Sequence, residues 1–307
     1  MTTSEGDAYL IEAVQRGDSD AWRQVIERYE GRLLSFARRM LAQRGEAEDL
    51  VQDTFLGLLR SLPNYDRERS LETYLFAILR HKLNDHFRKQ KSGRRQSLDA
   101  LSLEDSPQAW LSTETPSGHM AGAENLARQR QALVSCLRQY VEQCRTQQRF
   151  QELVVVEMLM VLGMRNKEVA SDLELTETAV AGIKFRALDR LRQLAQASPD
   201  AHEWHEADLA AASSIARIWR EEGISCPKRT TLGRYLLGAL DDEWMSYIEF
   251  HAEAGGCDRC QANLDDLRSE DEGAEEARRE LRERCFASSV GFLSRCPQNP
   301  EPDQQAK

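Results

Sequence analysis

Apolar residues recur along the chain at intervals of three and four almost throughout, and alternating β-branched runs are few, a pattern that predicts a nearly all-α protein. The clearest stripe lies in "EDLVQDTFLGLLRSL", where Leu50, Val51, Thr54, Phe55, Leu58, Leu59 and Leu62 share one helical face. Pro63 and Asn64 then stop the helix. The next segment, "SLETYLFAILRHKLNDHFRK", opens on Ser70 as N-cap and sets Leu71, Tyr74, Leu75, Ile78, Leu79, Leu83 and Phe87 on a core stripe. Its other face is polar and basic.

The periodicity breaks over 92–123, where Ser, Gly, Pro and acidic residues dominate and a flexible linker is expected. It resumes over 124–197, weakens at "SPDAHEW" and returns over 207–267. Residues 268–307 are charged, then rich in Pro and Gln, and are expected to be a mobile tail. The chain therefore divides into a helical bundle over 8–91, a linker, a helical domain over 124–197 and a small helical extension. In the second helical domain, "RNKEVASDLELTETAVAGIKFRALDRLRQL" places Val169, Ala170 and Leu173 on one short helix. Glu174 and Leu175 form the turn, and Thr176 caps a second helix carrying Val180, Ile183, Leu188 and Leu191. Two helices with that turn fit a helix-turn-helix, whose second helix enters the DNA major groove, although αα-hairpins without DNA share the pattern.

Charge refines this picture. The chain of 307 residues carries a formal net charge of -10, which argues against indiscriminate nucleic-acid binding. Between Arg80 and Arg95, however, seven cations (Arg80, Lys82, Arg88, Lys89, Lys91, Arg94 and Arg95) stand against Asp85 alone. Such a face suits phosphates, since each neutralised phosphate releases counterions, and a solvated helix surface is the plain alternative. Tyr65, Tyr74, Phe76 and Phe87 interleave with it as stacking surfaces for unpaired bases or as core.

No run of about 18 apolar residues and no secretory pattern at the N-terminus is found, so a cytoplasmic protein with no membrane partner is expected. The seven cysteines are unevenly spread and do not resemble a disulfide framework. In "FHAEAGGCDRC", Cys257 and Cys260 form a Cys-x-x-Cys, which offers zinc two thiolates from one short turn or serves redox chemistry. His251 lies close enough for a third ligand and Cys226 is an upstream candidate for the fourth. Asp241, Asp242, Glu243, Glu249, Glu253 and Asp258 make the surroundings a poor phosphate surface. Cys136 and Cys144 read as buried thiols. No Gly-rich phosphate loop, His-Glu-x-x-His or nucleophile elbow is present, and no enzymatic activity is expected.

"AVQRGDSDAWRQVIERY", "AEDLVQDTFLGLLRSL" and "RSLETYLFAILRHKLNDHFRK" resemble, in order and spacing, the first domain of bacterial sigma factors of the extracytoplasmic-function group. The helix-turn-helix block resembles their second domain, and together the resemblance covers roughly Tyr9 to Leu194. It implies that Asp49, Gln52, Asp53 and Phe55 contact core RNA polymerase. It places promoter melting and reading of the -10 element on Tyr65, Arg67, Arg80, His81, Asn84, Arg88 and Lys89. Reading of the -35 element falls to Thr176, Thr178, Lys184, Arg186 and Arg190. Glu174 stands where the family usually has a turn glycine, and Tyr74 where tryptophan is frequent.

The segment from Cys226 to Leu267 resembles zinc-binding anti-sigma domains, whose ligand set would fall on Cys226, His251, Cys257 and Cys260. Five residues separate His251 from Cys257 where that family usually has three. The resemblance implies one zinc ion, promoter DNA and polymerase as partners, and regulation in cis or by a regulatory protein. The competing reading is a helix-turn-helix regulator with a zinc-stabilised interaction domain.

Overall fold

The computed structural model describes residues 5–67, 69–93, 118–197, 212–268 and 272–293, and no strand occurs among the described residues. The helices are α1 (Glu5–Gln15), α2 (Ser19–Met40), α3 (Arg44–Ser61), α4 (Leu71–Gly93), α5 (Gly118–Thr146), α6 (Phe150–Met160), α7 (Asn166–Asp172) and α8 (Glu177–Gln196). They continue as α9 (Ala212–Glu222), α10 (Arg229–Leu236), α11 (Asp242–Ala252), α12 (Asp258–Arg268) and α13 (Glu272–Leu293). Two compact units result, the first holding α1–α4 and α13, the second α5–α11. Helix α12 divides between them after Leu264.

In the first unit, α2 starts where Asp18 Oδ1 accepts from the amides of Asp20 and Ala21, at 2.9 and 3.0 Å. This satisfies two of the amide groups that a helix start leaves open. Trp22, Val25, Ile26, Tyr29, Leu33 and Phe36 of α2 then bury one face. The predicted stripe of α3 is buried against it, with Trp22 edge-on to Phe55 at 5.9 Å. Each such side chain contributes about 2 kcal/mol by leaving water. Helix α4 starts at Ser70, whose Oγ accepts from the Thr73 amide at 3.2 Å, and packs Phe76 edge-on to Phe36 at 5.2 Å.

Part of the expected mobile tail is instead helix α13, packed on α2 and α3. Leu281, Cys285, Ser289 and Leu293, four residues apart, are its buried stripe. Trp22 Nε1 donates to Ser289 Oγ at 2.8 Å, and the Arg23 guanidinium lies 4.0 Å over the Phe286 ring. Arg284 pairs with Glu48, and Arg282 Nε stands 3.3 Å from Glu30 Oε2. Glu30 is completely enclosed, and burial pushes its carboxyl up to about 7 against the pull of Arg282 and Arg278. The remainder of the expected tail, residues 294–307, and most of the expected linker lie outside the described residues, though α5 already begins at Gly118.

The second unit contains the predicted helix-turn-helix as α7, the turn at Glu174 and α8, where Thr176 Oγ1 accepts from the Ala179 amide at 3.1 Å. Glu174 has φ +54°, the left-handed region that glycine enters freely and other L-residues enter at a cost. Replacing it with glycine relieves about 1–2 kcal/mol of backbone conflict and gives back roughly 0.5–1 kcal/mol in unfolded-chain entropy. We expect Glu174→Gly to raise the melting temperature of this unit by a few degrees, as followed by helical circular dichroism; an unchanged or lowered value would count against strain at the turn.

The extension expected as a separate domain over 207–267 shares a core with the helix-turn-helix block. Its described part begins at Ala212, and α9 and α11 both pack on α6. Phe150 of α6 lies 4.7 Å from the Trp244 ring and 5.4 Å from that of Tyr247. Arg145 of α5 donates to the Ser225 carbonyl at 2.6 Å, and Arg130 to Glu222 Oε1 at 2.7 Å. Cys136 and Cys144 are buried thiols, as expected. Among the described residues no helix is long and apolar enough to cross a membrane.

Candidate metal centre and nucleic-acid interfaces

On the first unit, α3 leaves Asp49 and Asp53 exposed and Gln52 half-buried as a polar ridge, with Asp53 Oδ2 3.8 Å from Lys82 Nζ of α4. Phe55, expected to contact polymerase, is fully buried against Trp22 and is a core residue, because its place on the apolar stripe turns it inward.

The basic face of α4 divides in a similar way. Asn84 and Arg88 are exposed, Arg88 donating to Asp85 Oδ1 at 2.8 Å, and half-buried His81 lies 3.4 Å from Asp85. Arg80 is half-buried, its guanidinium 5.7 Å from the Phe36 ring centre. Lys89 belongs to the helix, but its side chain lies outside the described residues. Arg67 is exposed and ion-paired to Glu12 at 2.7 Å. Tyr65, expected among the strand-binding residues, is instead buried, donating its hydroxyl to the Arg69 carbonyl at 2.6 Å and meeting Tyr74 edge-on at 5.1 Å. Of the four aromatic candidates for stacking, Phe76 is core and Phe87 is the most exposed.

On α8, Thr178, Lys184 and Arg186 are all exposed, although Lys184 and Arg186, two positions apart, point to different sides of the helix. Thr176 is occupied as the N-cap. Arg190 is half-buried, donating to Gln143 Oε1 of α5 at 2.8 Å, so its first duty is within the fold. Phe185, which the sequence reading did not single out, is 67% exposed between Lys184 and Arg186.

The fourth cluster is chemical. One ligand atom from each of Cys226, His251, Cys257 and Cys260 lies within 4.8 Å of the others. Cys226 Sγ and Cys257 Sγ are 3.6 Å apart, close to the roughly 3.8 Å that two sulfurs take around a tetrahedral zinc ion. The two extra residues before Cys257 do not carry His251 away. After α11 the chain doubles back: Gly255 donates to the Phe250 carbonyl at 2.7 Å and Cys257 to the His251 carbonyl at 3.3 Å. Gly256 takes φ +59°, and a Cβ on Gly255 would stand 2.9 Å from the His251 carbonyl oxygen. The two glycines thus build the hairpin that returns Cys257 to His251.

His251 Nδ1 is 2.9 Å from Glu157 Oε2, while its buried Nε2 has no hydrogen-bond partner. Burial lowers the His251 pKa, but attraction to Glu157 and Cys257 outweighs it and the pKa stands well above the usual value. Hydrogen bonds from Cys226 and Cys260 hold Cys257 well below the ordinary thiol range. Three convergent sulfurs, one favoured as thiolate, and a buried ring nitrogen without a partner are a donor set that fits zinc.

Glu157 itself escaped the sequence reading. Its signal was present: a single carboxylate within the apolar run "LVVVEMLM" must be buried and therefore paired.

Residues 25–93 match the Sigma-70 region 2 family. RNA polymerase sigma-H factor of Pseudomonas aeruginosa is 30% identical over 105 residues, 34% of this chain and 53% of that protein. ECF RNA polymerase sigma factor SigW of Bacillus subtilis is 31% identical over 81 residues, 26% of this chain and 43% of the relative. ECF RNA polymerase sigma factor SigD of Mycobacterium tuberculosis is 29% identical over 199 residues, covering 63% of this chain and 85% of its own length. The chain spans about half the length, or less, of the first two of these relatives. No solved structure matches. The α2–α4 segment is thus similar to Sigma-70 region 2, and the curated proteins it resembles are RNA polymerase sigma factors.

Proposed function

We propose that this protein is a sigma factor that brings core RNA polymerase to promoters and assists their melting, a role of recruitment and strand binding without a chemical step. The observation that carries the reading is the match of residues 25–93 to Sigma-70 region 2, on a bundle whose α3 presents Asp49, Gln52 and Asp53 beside a basic α4. The acidic ridge suits a basic helical surface of polymerase. Arg88, Asn84 and His81, with Lys89 beside them in sequence, suit the phosphates and base edges of a separated strand. On the second unit, Thr178, Lys184 and Arg186 of α8 suit the -35 element in the major groove.

The same proposal assigns one structural zinc ion to Cys226, His251, Cys257 and Cys260, on the support of the donor set above. The ion would staple α9 and the turn before α10 to α11 and the start of α12. Regulation in cis is the third part of the proposal. Two arrangements support it: the extension shares its core with the helix-turn-helix block, and α13 is seated against α2 and α3.

The test is promoter-specific transcription with purified core polymerase. Full-length protein is expected to support it, the Asp49→Ala/Asp53→Ala variant to bind core at least tenfold more weakly, and a chain ending near residue 200 to give altered output. A folded protein that gives no transcription and no binding to core would overturn the sigma reading, and equal output from the shortened chain would remove regulation in cis.

A further inference from the structure

Glu157 lies on α6, within the helix-turn-helix half of the second unit, and the ligands cluster on the extension. It is only 4% exposed, in a setting where an ionised carboxylate costs several kcal/mol unless its oxygens are satisfied. Both are. Oε1 accepts from the Tyr247 hydroxyl at 2.7 Å, and Oε2 stands 2.9 Å from His251 Nδ1. The Tyr247 hydroxyl lies in turn 3.0 Å from the carbonyl oxygen of Ser225, the residue before Cys226. One carboxylate therefore reaches a ligand directly, and its tyrosine partner lies beside the residue that precedes a second ligand.

We propose that Glu157 is the positioning residue of this metal centre: by accepting a hydrogen bond from His251 Nδ1–H it fixes the ring's tautomer and orientation and delivers Nε2 to the ion. The inference rests on the zinc assignment above. A ring nitrogen binds metal only through its free lone pair, so the tautomer decides whether His251 can be a ligand at all. A hydrogen bond from Nδ1–H to a carboxylate settles that choice and makes Nε2 more basic. The geometry has both halves, because Nδ1 is on Glu157 and Nε2 is buried with no hydrogen-bond partner.

The anchor also has a consequence for regulation. The residue that holds the ligand belongs to α6, which packs on both helices of the helix-turn-helix, α7 and α8. Metal occupancy and the packing of that block thereby share one side chain.

The experiment is a double-mutant cycle on the full chain. Zinc affinity is measured by competition with a chromophoric chelator for the wild type, Glu157→Gln, His251→Ala and the double variant. Cobalt(II) spectra of each report the ligand field, and helical circular dichroism confirms that each variant is folded. We expect Glu157→Gln to bind zinc about 10- to 100-fold more weakly and to shift the cobalt bands. In the His251→Ala background the same change should have no further effect, since Glu157 acts through the imidazole.

Wild-type zinc affinity and an unaltered cobalt spectrum in folded Glu157→Gln would overturn the proposal. So would an equal loss in both backgrounds, which marks a purely structural carboxylate. If the wild type itself binds neither zinc nor cobalt, the metal assignment fails first and the role of Glu157 fails with it.

Discussion

Withdrawing zinc with a chelator is expected to loosen the packing of α9 to α11 on α5 and α6 and to lower the melting temperature of the second unit by about 10 °C or more. Structural zinc is worth about 10–16 kcal/mol in peptides that are unfolded without it. Here the extension has apolar support of its own from Trp219, Tyr247 and Ile248, so the expected loss is smaller, roughly 3 kcal/mol or more, which in a unit of this size is about 10 °C. The expected origin is that, without an ion, the three sulfurs keep only weak contacts such as Cys226 Sγ to Cys257 Sγ, and His251 is tied to Glu157 through Nδ1 alone. Cys260→Ser should reproduce the effect of the chelator and become insensitive to it. Melting curves of wild type and variant, with and without chelator, check the expectation. A zinc-loaded wild type that melts unchanged after the metal is removed would show that the cluster carries no structural load.

Releasing α13 is expected to have the second largest effect, on binding to core polymerase. Arg284 holds Glu48, next to Asp49, and Phe292 lies 5.5 Å from the guanidinium of Arg60 at the far end of α3. A helix is about 10 Å across, so a helical partner docking on the Asp49–Gln52–Asp53 ridge must lie beside α13 or displace it. If docking displaces it, α13, tethered on the same chain, would compete at an effective concentration set by its connection rather than by its abundance. Leu281→Asp together with Cys285→Asp places two carboxylates in the buried stripe without shortening the chain. We expect the variant to bind core roughly tenfold more tightly, a gain of about 1.4 kcal/mol, as read by titration of labelled protein. Unchanged or weakened binding, with α1–α4 still folded, would make α13 a permanent wall of the bundle.

The sequence made the first bundle and the helix-turn-helix legible because their stripes are built from Leu, Val, Ile and Phe, whose spacing alone defines a buried face. Helix α13 was hidden because its stripe alternates Leu281 and Leu293 with Cys285 and Ser289, amid a run of Arg and Glu. Buried Ser289 is matched by a donor from Trp22, 267 positions away, and such a partner has no local trace. The four candidate ligands could be read from residue type and spacing, whereas the compensation of their unusual spacing depends on the Gly255–Gly256 turn. Phe55 and Tyr65 show the limit of carrying roles over by position, since each lies in a matching motif and yet faces inward. Union of the extension with α5 and α6 was unreadable for a similar reason, because the contacts of Phe150 with Trp244 and Tyr247 span nearly a hundred residues.

The place of α13 in the chain also sets an order of events during synthesis. Its docking surface on α2 and α3 is translated early, and about 180 residues separate Gly93 from Glu272. At about 5–20 residues per second, the ribosome needs roughly 10–35 s to reach the covering helix. For that interval the Nε1 edge of Trp22 and the flank of α3 lack their cover, and each newly made copy passes once through an uncovered state before its own α13 can close on it.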